Sequence, residues 1–239
     1  MEAGFSKIKA EGLKELFVKD IEAKIISGQL SPGEKLPAER ELAAMTGVSR
    51  SIVNSGILEL ASKGFVRVIP RRGTIVKDYK NEGTSSILSS IMNYHQGKLN
   101  LRLFNNMMDT RLLIEVECAG LAAINRTEED LIILGSLIKN AKGENGIESR
   151  VDCNYNFHHR ITIASGNMVY AMIFKSFEPA CKNLIRYYFQ TGDYLEQSLA
   201  SHLTLLEALT KQNEEKARQT MEQILLEGRD KLARVAVTE

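Results

Sequence analysis

Three observations predict a mainly α-helical protein with two domains. Between residues 38 and 64, two helix-forming segments flank a short glycine-containing turn, which is the pattern of a helix-turn-helix. Two β-branched runs around the Pro-Arg-Arg-Gly sequence at residues 70–73 then predict a hairpin, which would form a wing beside that motif. From Ile87 onward, apolar residues recur near the helical period of about 3.6 residues, without further strand signals. We therefore expect a winged helix-turn-helix domain over residues 1–80 and an all-α bundle of about six or seven helices over residues 81–239.

The helix-turn-helix prediction depends on stop and cap signals. The first amphipathic helix is ended by two glycines and a proline within residues 27–36. Residues 38–45 predict a second short helix, and Ser49 is placed to cap a third helix over residues 50–63, which Gly64 ends. Two helices across a short glycine turn are the signature of this motif.

The wing, the linker and the bundle follow in that order. Residues 65–69 and 74–79 are rich in β-branched and aromatic side chains and flank the turn of the predicted hairpin. Residues 77–86 form a short polar stretch, which is typical of a linker. The bundle segments with helical spacing are residues 101–124, 128–141, 152–167, 168–189, 196–211 and 213–235.

Positive charge is concentrated in the N-terminal part of the chain. The 31 Lys or Arg and 30 Asp or Glu residues give a net charge of +1, which by itself indicates neither a nucleic-acid nor a membrane partner. Residues 1–80 contain 14 basic and 10 acidic residues, net +4, and the remainder contains 17 and 20, net −3. Between Arg50 and Lys80 the counts are 7 and 2, so the predicted motif and wing form the basic region.

Cysteine usage and hydropathy predict a cytoplasmic protein without a membrane partner. Cys118, Cys153 and Cys181 are odd in number and widely spaced, which fits buried reduced thiols rather than a disulfide framework or a metal-binding pair. Residues 1–13 lack the apolar core of a signal peptide. The longest charge-free apolar stretch, residues 161–174, is too short and too polar to span a bilayer.

These motifs resemble the winged helix-turn-helix of the GntR superfamily of bacterial transcription regulators. The match covers about residues 13–77 and is carried by "LPAERELAAMTGVSRSIVNSGILELASKGFV" followed by "PRRGTIV". The helical remainder resembles the ligand-sensing, FCD-like domain of the fatty-acid-responsive (FadR-type) branch. Its carriers are "TRLLIE", "NFHHRITIASGNMVY", "IRYYF" and "SHLTLLEALTKQNEEKARQTM". This second resemblance is looser and spans most of residues 84–235.

The residues themselves predict a contact with double-stranded DNA at the start of the third helix. Arg50 and Ser51 lie there, and side chains at such a place enter the major groove when the helix docks. An arginine can bind guanine O6 and N7 with two hydrogen bonds, and paired cations at the wing tip can reach phosphates or the minor groove. A solvated charged face is the alternative interpretation of the same arginines.

The resemblance assigns DNA contact to the positions that match Arg40, Arg50 and Gly73. One position departs from the family pattern, because Asn54 stands where a Val-Arg-Glu sequence commonly has its arginine. Asparagine reads adenine, or else this contact is missing, and both outcomes stay open. The full predicted DNA-binding set is Arg40, Ser49, Arg50, Ser51, Asn54, Arg71, Arg72 and Gly73.

The resemblance also implies a divalent metal in many sensing domains, held by one aspartate and three histidines. The matching positions are Asn154, His158, His202 and Ile224, so two of the four donors are missing. Two imidazoles alone hold a metal weakly, and we therefore expect no metal or other cofactor. The acyl-CoA-binding version of the domain is similar to this chain and also lacks the metal, but Cys181 replaces one of its aromatic residues.

An effector pocket is predicted around Arg111, which lies on an otherwise apolar helix. An unpaired guanidinium is costly to bury, so Arg111 either meets a carboxylate or phosphate of an effector or pairs with Glu115 one turn later. The other predicted effector-binding residues are Tyr155, His158, Asn167, Tyr188 and His202. For each of them, a satisfied polar group of the core is the alternative interpretation.

The predicted function is a ligand-responsive transcription regulator. We expect a homodimer on a palindromic operator, acting as a repressor that a small organic acid releases. The alternative is a metal-dependent enzyme built on the helical domain, suggested by His158, His159 and His202. The sequence has no nucleophile and base at recognisable spacing and no glycine-rich phosphate loop, so we expect no enzymatic activity.

Overall fold

The computed structural model describes residues 12–95, 98–143, 146–234 and 237–238. They divide into two compact units, Met1–Tyr94 and His95–Glu239, each with its own apolar core. The predicted mainly α-helical class with a two-stranded wing is confirmed. The domain boundary after residue 80 stays a prediction. Residues 1–11, which hold most of the segment expected to lack a signal-peptide core, lie outside the described residues.

The first unit contains the predicted helix-turn-helix and wing. Helix α2 ends at Gly47, whose φ of 71° lies in the left-handed region that glycine adopts without strain. Ser49 caps α3 by accepting a hydrogen bond from the backbone N–H of Ile52 at 3.3 Å. The elements are α1 (Leu13–Ile26), α2 (Glu39–Thr46), α3 (Arg50–Lys63), β1 (Val66–Ile69), β2 (Gly73–Val76), α4 (Tyr79–Glu82) and α5 (Ser86–Tyr94).

Helix α3 approaches α1 closely because Gly56 has no side chain. A Cβ atom at Gly56 would lie 2.5 Å from Cδ1 of Phe17, and the Phe17 ring is only 3% exposed. Val53 and Ile57, on the same side of α3, are buried in this core. A glycine that weakens an isolated helix is therefore used here for close packing of two helices.

The wing is an antiparallel hairpin in which Ile69 of β1 lies opposite Gly73 of β2. The backbone N–H of Arg72 donates to the carbonyl of Ile69 at 3.0 Å and closes the turn. Arg71, in the middle of the turn, has a φ of 63°, a left-handed conformation that costs a non-glycine residue about 1–3 kcal/mol. The wing therefore holds one of its two tip cations in a strained backbone conformation.

The second unit is a helical bundle with α6 at its centre, packed against α8, α11 and α12. The seven helices of its described residues agree with the predicted six or seven. Its three cysteines are free and buried. The helices are α6 (Leu101–Asn125), α7 (Glu128–Lys142), α8 (Ile147–Ala164), α9 (Met168–Ser176), α10 (Glu178–Thr191), α11 (Leu195–Thr210) and α12 (Glu214–Leu232).

The structure differs from the sequence prediction in the linker, in a pair of short strands, and at Phe177, which separates α9 from α10 within the predicted segment 168–189. Residues 77–86, predicted as a linker, contain α4 and the first residue of α5, and Asp78 caps α4 by accepting from the backbone N–H of Lys80 at 3.2 Å. Strands β3 (Leu99–Asn100) and β4 (Val237–Thr238) form a parallel pair, whereas no strand was predicted beyond residue 87. Two-residue strands are too short to show an alternating pattern.

Across the described ranges, no helix is long and apolar enough to cross a membrane.

Candidate functional site

The first turns of α3 present a small polar face with a single cation. Arg50, Ser51 and Asn54 are exposed there, and Arg40 is exposed at the start of α2. At the other end of the helix, Lys63 is engaged in an ion pair and is not part of this face. The opposite side of α3 is formed by the buried residues Val53, Gly56, Ile57 and Leu60. The arrangement gives a docking helix one charged and several neutral hydrogen-bonding groups for base edges.

A hydrogen bond joins the exposed faces of the two motif helices. Nδ2 of Asn54 donates to Oε1 of Glu39 at 3.0 Å. This bond occupies one N–H of the amide and leaves the other N–H and the carbonyl oxygen available. Sequence reasoning had not selected Glu39.

The wing tip carries two cations without an ion-pair partner among the described residues, Arg71 and Arg72, and both are exposed. Two other cations of the basic region are engaged within the unit, since Arg67 and Lys77 lie 2.6 and 3.6 Å from Oε2 of Glu82. The tip cations are therefore available to a partner, like Arg50 on α3.

Two residues of the predicted DNA-binding set have structural roles. The hydroxyl of Ser49 is used as the N-cap of α3. Gly73 begins β2 with a φ of 100°, and a Cβ atom there would lie 2.9 Å from Cε of Lys35. Both residues shape the backbone that presents the neighbouring arginines.

The second unit contains a partly open cavity of about 60 Å³ lined by α6, α8, α10, α11 and α12. Four of the six predicted effector residues line it, namely Arg111, His158, Tyr188 and His202. Burial, together with the charge of Glu227, raises the pKa of Tyr188 to about 12, so its hydroxyl is neutral. The structure thus places these four predicted side chains, each from a different helix, around one cavity.

The other two predicted effector residues are not among the residues that line this cavity. Tyr155 is fully buried, with its ring stacked on Phe174 at a centroid distance of 5.5 Å. The side-chain oxygen of Asn167 accepts from the backbone N–H of Val169 at 3.0 Å and caps α9. The sequence does not show that Tyr155 faces away from the cavity, because this depends on how α8 is rotated in the bundle. The cap at Asn167, in contrast, is a local interaction.

The buried carboxylate of Glu115 is bound by the side chains of Arg111 and His158. Nε of Arg111 donates to one carboxylate oxygen at 2.6 Å, and Nδ1 of His158 is 2.5 Å from the other. Burial alone would raise the pKa of Glu115, but Arg111 and His158 outweigh it and hold the pKa below its usual range. Glu115 is therefore ionised, and both of its oxygens are used.

His202 has an unused ring nitrogen at the cavity. Its ring is 4% exposed, stacks on Phe157 with centroids 4.1 Å apart, and lies edge-on to His158 at 5.3 Å. Nε2 is buried without a hydrogen-bond partner in the described part of the chain. Burial, and then His158, lower the pKa of His202 well below its usual range, so the ring is neutral. A buried polar atom without a partner marks a place for a ligand or an ordered water.

Family models match both units of the chain. Residues 14–76 match the family described as "Bacterial regulatory proteins, gntR family", and residues 106–227, 122 of the 239 residues, match the FCD domain. The chain belongs to the GntR family and carries an FCD domain. It is a transcription regulator, and proteins of this family bind DNA through the GntR domain and small-molecule effectors through the FCD domain. The alternative of a metal-dependent enzyme has no support.

The chain is similar to curated regulator sequences and to solved structures of the same fold. The "Fatty acid metabolism regulator protein" of Shewanella denitrificans is 27% identical over 190 residues, covering 78% of this chain and 76% of the relative. The protein of that name from Shewanella putrefaciens is 28% identical over 189 residues, covering 78% and 76%. A structure described as "Lar controls the expression of the Listeria monocytogenes agr system and mediates virulence" has a TM-score of 0.69 at 21% identity, covering 95% and 99%. The E. coli McbR/YncC structure has a TM-score of 0.54 at 20% identity, covering 94% and 99%. The structural matches establish the common fold.

The residues of this FCD domain do not fit the metal that resemblance to the family implied. Asn154 donates to Oγ of Ser198 at 3.3 Å, and Ile224 offers no donor atom. Both oxygens of Glu115 are already bound, which leaves only the imidazoles of His158 and His202. Within the described residues, no group of three or more His, Cys, Asp or Glu side chains is arranged to hold a metal ion.

Proposed function

We propose that this regulator is a homodimeric, cytoplasmic repressor that leaves its operator when a small carboxylate binds in the FCD cavity. The observation that carries this proposal is the pair of unused donors at the cavity. Arg111 is 8% exposed, and among the described residues it donates only through Nε, to Glu115. Its terminal nitrogens and Nε2 of His202 supply donors for one carboxylate, without a metal between them.

The size of the cavity favours a small acid. A volume of about 60 Å³ corresponds to about four to six water molecules, since one water needs roughly 10–15 Å³ on this measure. A long acyl chain requires a much larger space than this. The relatives named for fatty acid metabolism are only 27–28% identical, so their name does not decide the effector of this chain.

DNA recognition is assigned to α3 and the wing. Arg50 and Asn54 lie on the exposed face of α3, in a position to read base edges of the major groove. Arg71 and Arg72 at the wing tip contact phosphates or the minor groove. Two copies of such a unit match the two halves of a palindromic operator, which supports a homodimer.

A thermal-melt screen tests the effector assignment. Small carboxylates, their uncharged amides and acyl-CoAs are added to the full-length protein, with and without a chelator. We expect stabilisation by a small carboxylate, no stabilisation by its amide, and no influence of the chelator. Stabilisation by acyl-CoA alone, or loss of stability with the chelator alone, would refute the proposed effector class.

A further inference from the structure

The segment that leads into α2 pairs with the wing as a short third strand. The backbone N–H of Val76 donates to the carbonyl of Glu34 at 2.9 Å. The N–H of Leu36 donates to the carbonyl of Thr74, also at 2.9 Å. Lys35 lies between these two bonds, in an antiparallel bridge with β2. The backbone of this lysine is therefore fixed relative to the wing.

The side chain of Lys35 passes over Gly73, the first residue of β2. A Cβ atom at Gly73 would lie 2.9 Å from Cε of the lysine and 3.7 Å from its Nζ. Lys35 is exposed, and Nζ has no ion-pair partner in the part of the chain that the structure describes. The missing side chain of Gly73 thus leaves the space that the lysine occupies beside the wing tip.

The ammonium group shares an open groove with both arginines of the tip. The groove has a volume of about 790 Å³ and lies between the turn of the wing and the residues that lead into α2. Its three cations are Lys35, Arg71 and Arg72, and none of them forms an ion pair within the described ranges. Unpaired like charges along one groove repel each other, and a bound polyanion removes this repulsion.

The two carboxylates of the groove are engaged by neutral donors. Glu39 accepts from the amide of Asn54 at 3.0 Å, and Glu41 accepts from the backbone N–H of Ala38 at 3.1 Å. The lining therefore has an excess of positive charge, with three cations against two carboxylates. The three cations keep their N–H donors available for a partner outside the unit.

We propose that Lys35 is a third DNA-binding cation of the wing and contacts a phosphate of the operator backbone. This rests on the proposed contact of Arg71 and Arg72 with the DNA. A lysine ammonium is a point charge on a flexible stem, which suits a phosphate better than the paired acceptors of a guanine edge. Gly73, which resemblance assigned to DNA contact, then acts through the lysine by leaving room for it.

The salt dependence of DNA binding by the full-length protein tests the contact. Fluorescence anisotropy measures the affinity of Lys35→Gln for the operator and for random DNA over a series of salt concentrations. We expect the slope of log affinity against log salt to fall by about 1, because one phosphate contact is lost. The affinities for both DNAs should fall by the same factor, since a phosphate carries no sequence information. Lys35→Arg, which keeps the charge, should keep the slope.

A matched charge variant separates contact from net charge. Lys80 is an exposed cation on α4 that does not line the groove, so Lys80→Gln removes the same charge from the same unit and should leave the slope unchanged. Urea unfolding of Lys35→Gln should match that of the unmodified protein, because the backbone pairing with β2 does not involve the side chain.

A double-mutant cycle tests the link between Gly73 and Lys35. Gly73→Ala should reduce DNA affinity more in the unmodified protein than in Lys35→Gln, where no ammonium remains to be displaced. The strain of an alanine at a φ of 100° is present in both backgrounds and cancels in the comparison. Additive effects of the two changes would refute the role assigned to the glycine.

The outcomes also distinguish this contact from the assignment of the wing. An unchanged salt slope in Lys35→Gln, with a lower slope in Arg72→Ala, overturns the lysine contact while the wing remains in the interface. A loss of affinity for the operator alone would mean a base contact and would overturn the phosphate assignment. If neither variant changes the slope, both proposals are wrong.

Discussion

The amide of Asn54 on α3 donates a 3.0 Å hydrogen bond to Glu39 on α2, fifteen residues earlier in the chain. The bond orients an amide whose remaining N–H and oxygen match the N7 and N6 groups of adenine. We expect Asn54→Ala to remove the preference for adenine at one operator position, a loss of about 1–3 kcal/mol of discrimination. Glu39→Ala should relax the same position less, because the amide is kept but is free to rotate.

Binding to operators with single base substitutions, followed by fluorescence anisotropy, measures this preference. Ser55→Ala, which changes an exposed neighbour on α3, serves as the control. An unchanged base preference in Asn54→Ala would mean that the asparagine makes no base contact and that the position is empty in the complex.

Relief of the backbone strain in the turn of the wing is expected to raise the stability of the protein and to lower its DNA affinity. Arg71 has a φ of 63°, which glycine adopts without cost, so Arg71→Gly should stabilise the protein by about 1 kcal/mol. The same change removes a tip cation and should lower the slope of log affinity against log salt by about 1. Arg72→Ala should lower the slope equally without the gain in stability. A variant that is more stable and binds with an unchanged salt slope would place Arg71 outside the interface.

The close approach of α1 and α3 predicts that Gly56→Ala is destabilising. Alanine is the better helix former by about 1 kcal/mol, but its methyl group would lie 2.5 Å from the buried ring of Phe17. Overpacking of this kind costs about 1–3 kcal/mol, so a net loss is expected in urea unfolding. Gly135→Ala on α7 is the control, since its Cβ would meet only Leu206 at 3.8 Å and should be neutral or stabilising.

The buried carboxylate predicts both a mutational effect and a pH dependence. Glu115→Gln leaves the charge of Arg111 uncompensated in the interior, which costs about 3–5 kcal/mol. Because the pKa of Glu115 is lower in the folded protein than in the unfolded chain, its stabilisation is complete above about pH 4.5 and declines as the pH falls further. Urea unfolding of this variant and of Glu129→Gln, an exposed control, between pH 3 and pH 7 measures the difference. Equal pH profiles in the two variants would contradict this account.

Local signals sufficed for the wing and for most helices, but not for the shortest elements, α4, β3 and β4, or for the contacts between elements. The predicted bounds of the third helix, residues 50–63, agree with α3 because Ser49 and Gly64 are strong start and stop signals. The bond from Asn54 to Glu39 and the two-sided binding of Glu115 join residues whose meeting depends on the packing of separate helices. Asn167, selected as an effector residue, is instead the N-cap of α9, a local role that its place directly before the helix indicates.

The parallel pairing of β3 and β4 has a mechanical consequence. Helix α12 supplies Ile224 to the effector cavity and ends at Leu232, and the backbone of Val237–Thr238 is then bonded to Leu99–Asn100. The pairing fastens the end of the second unit to its beginning, since Leu99–Asn100 lie directly before α6. Separation of the two strands would release both ends of this unit at once.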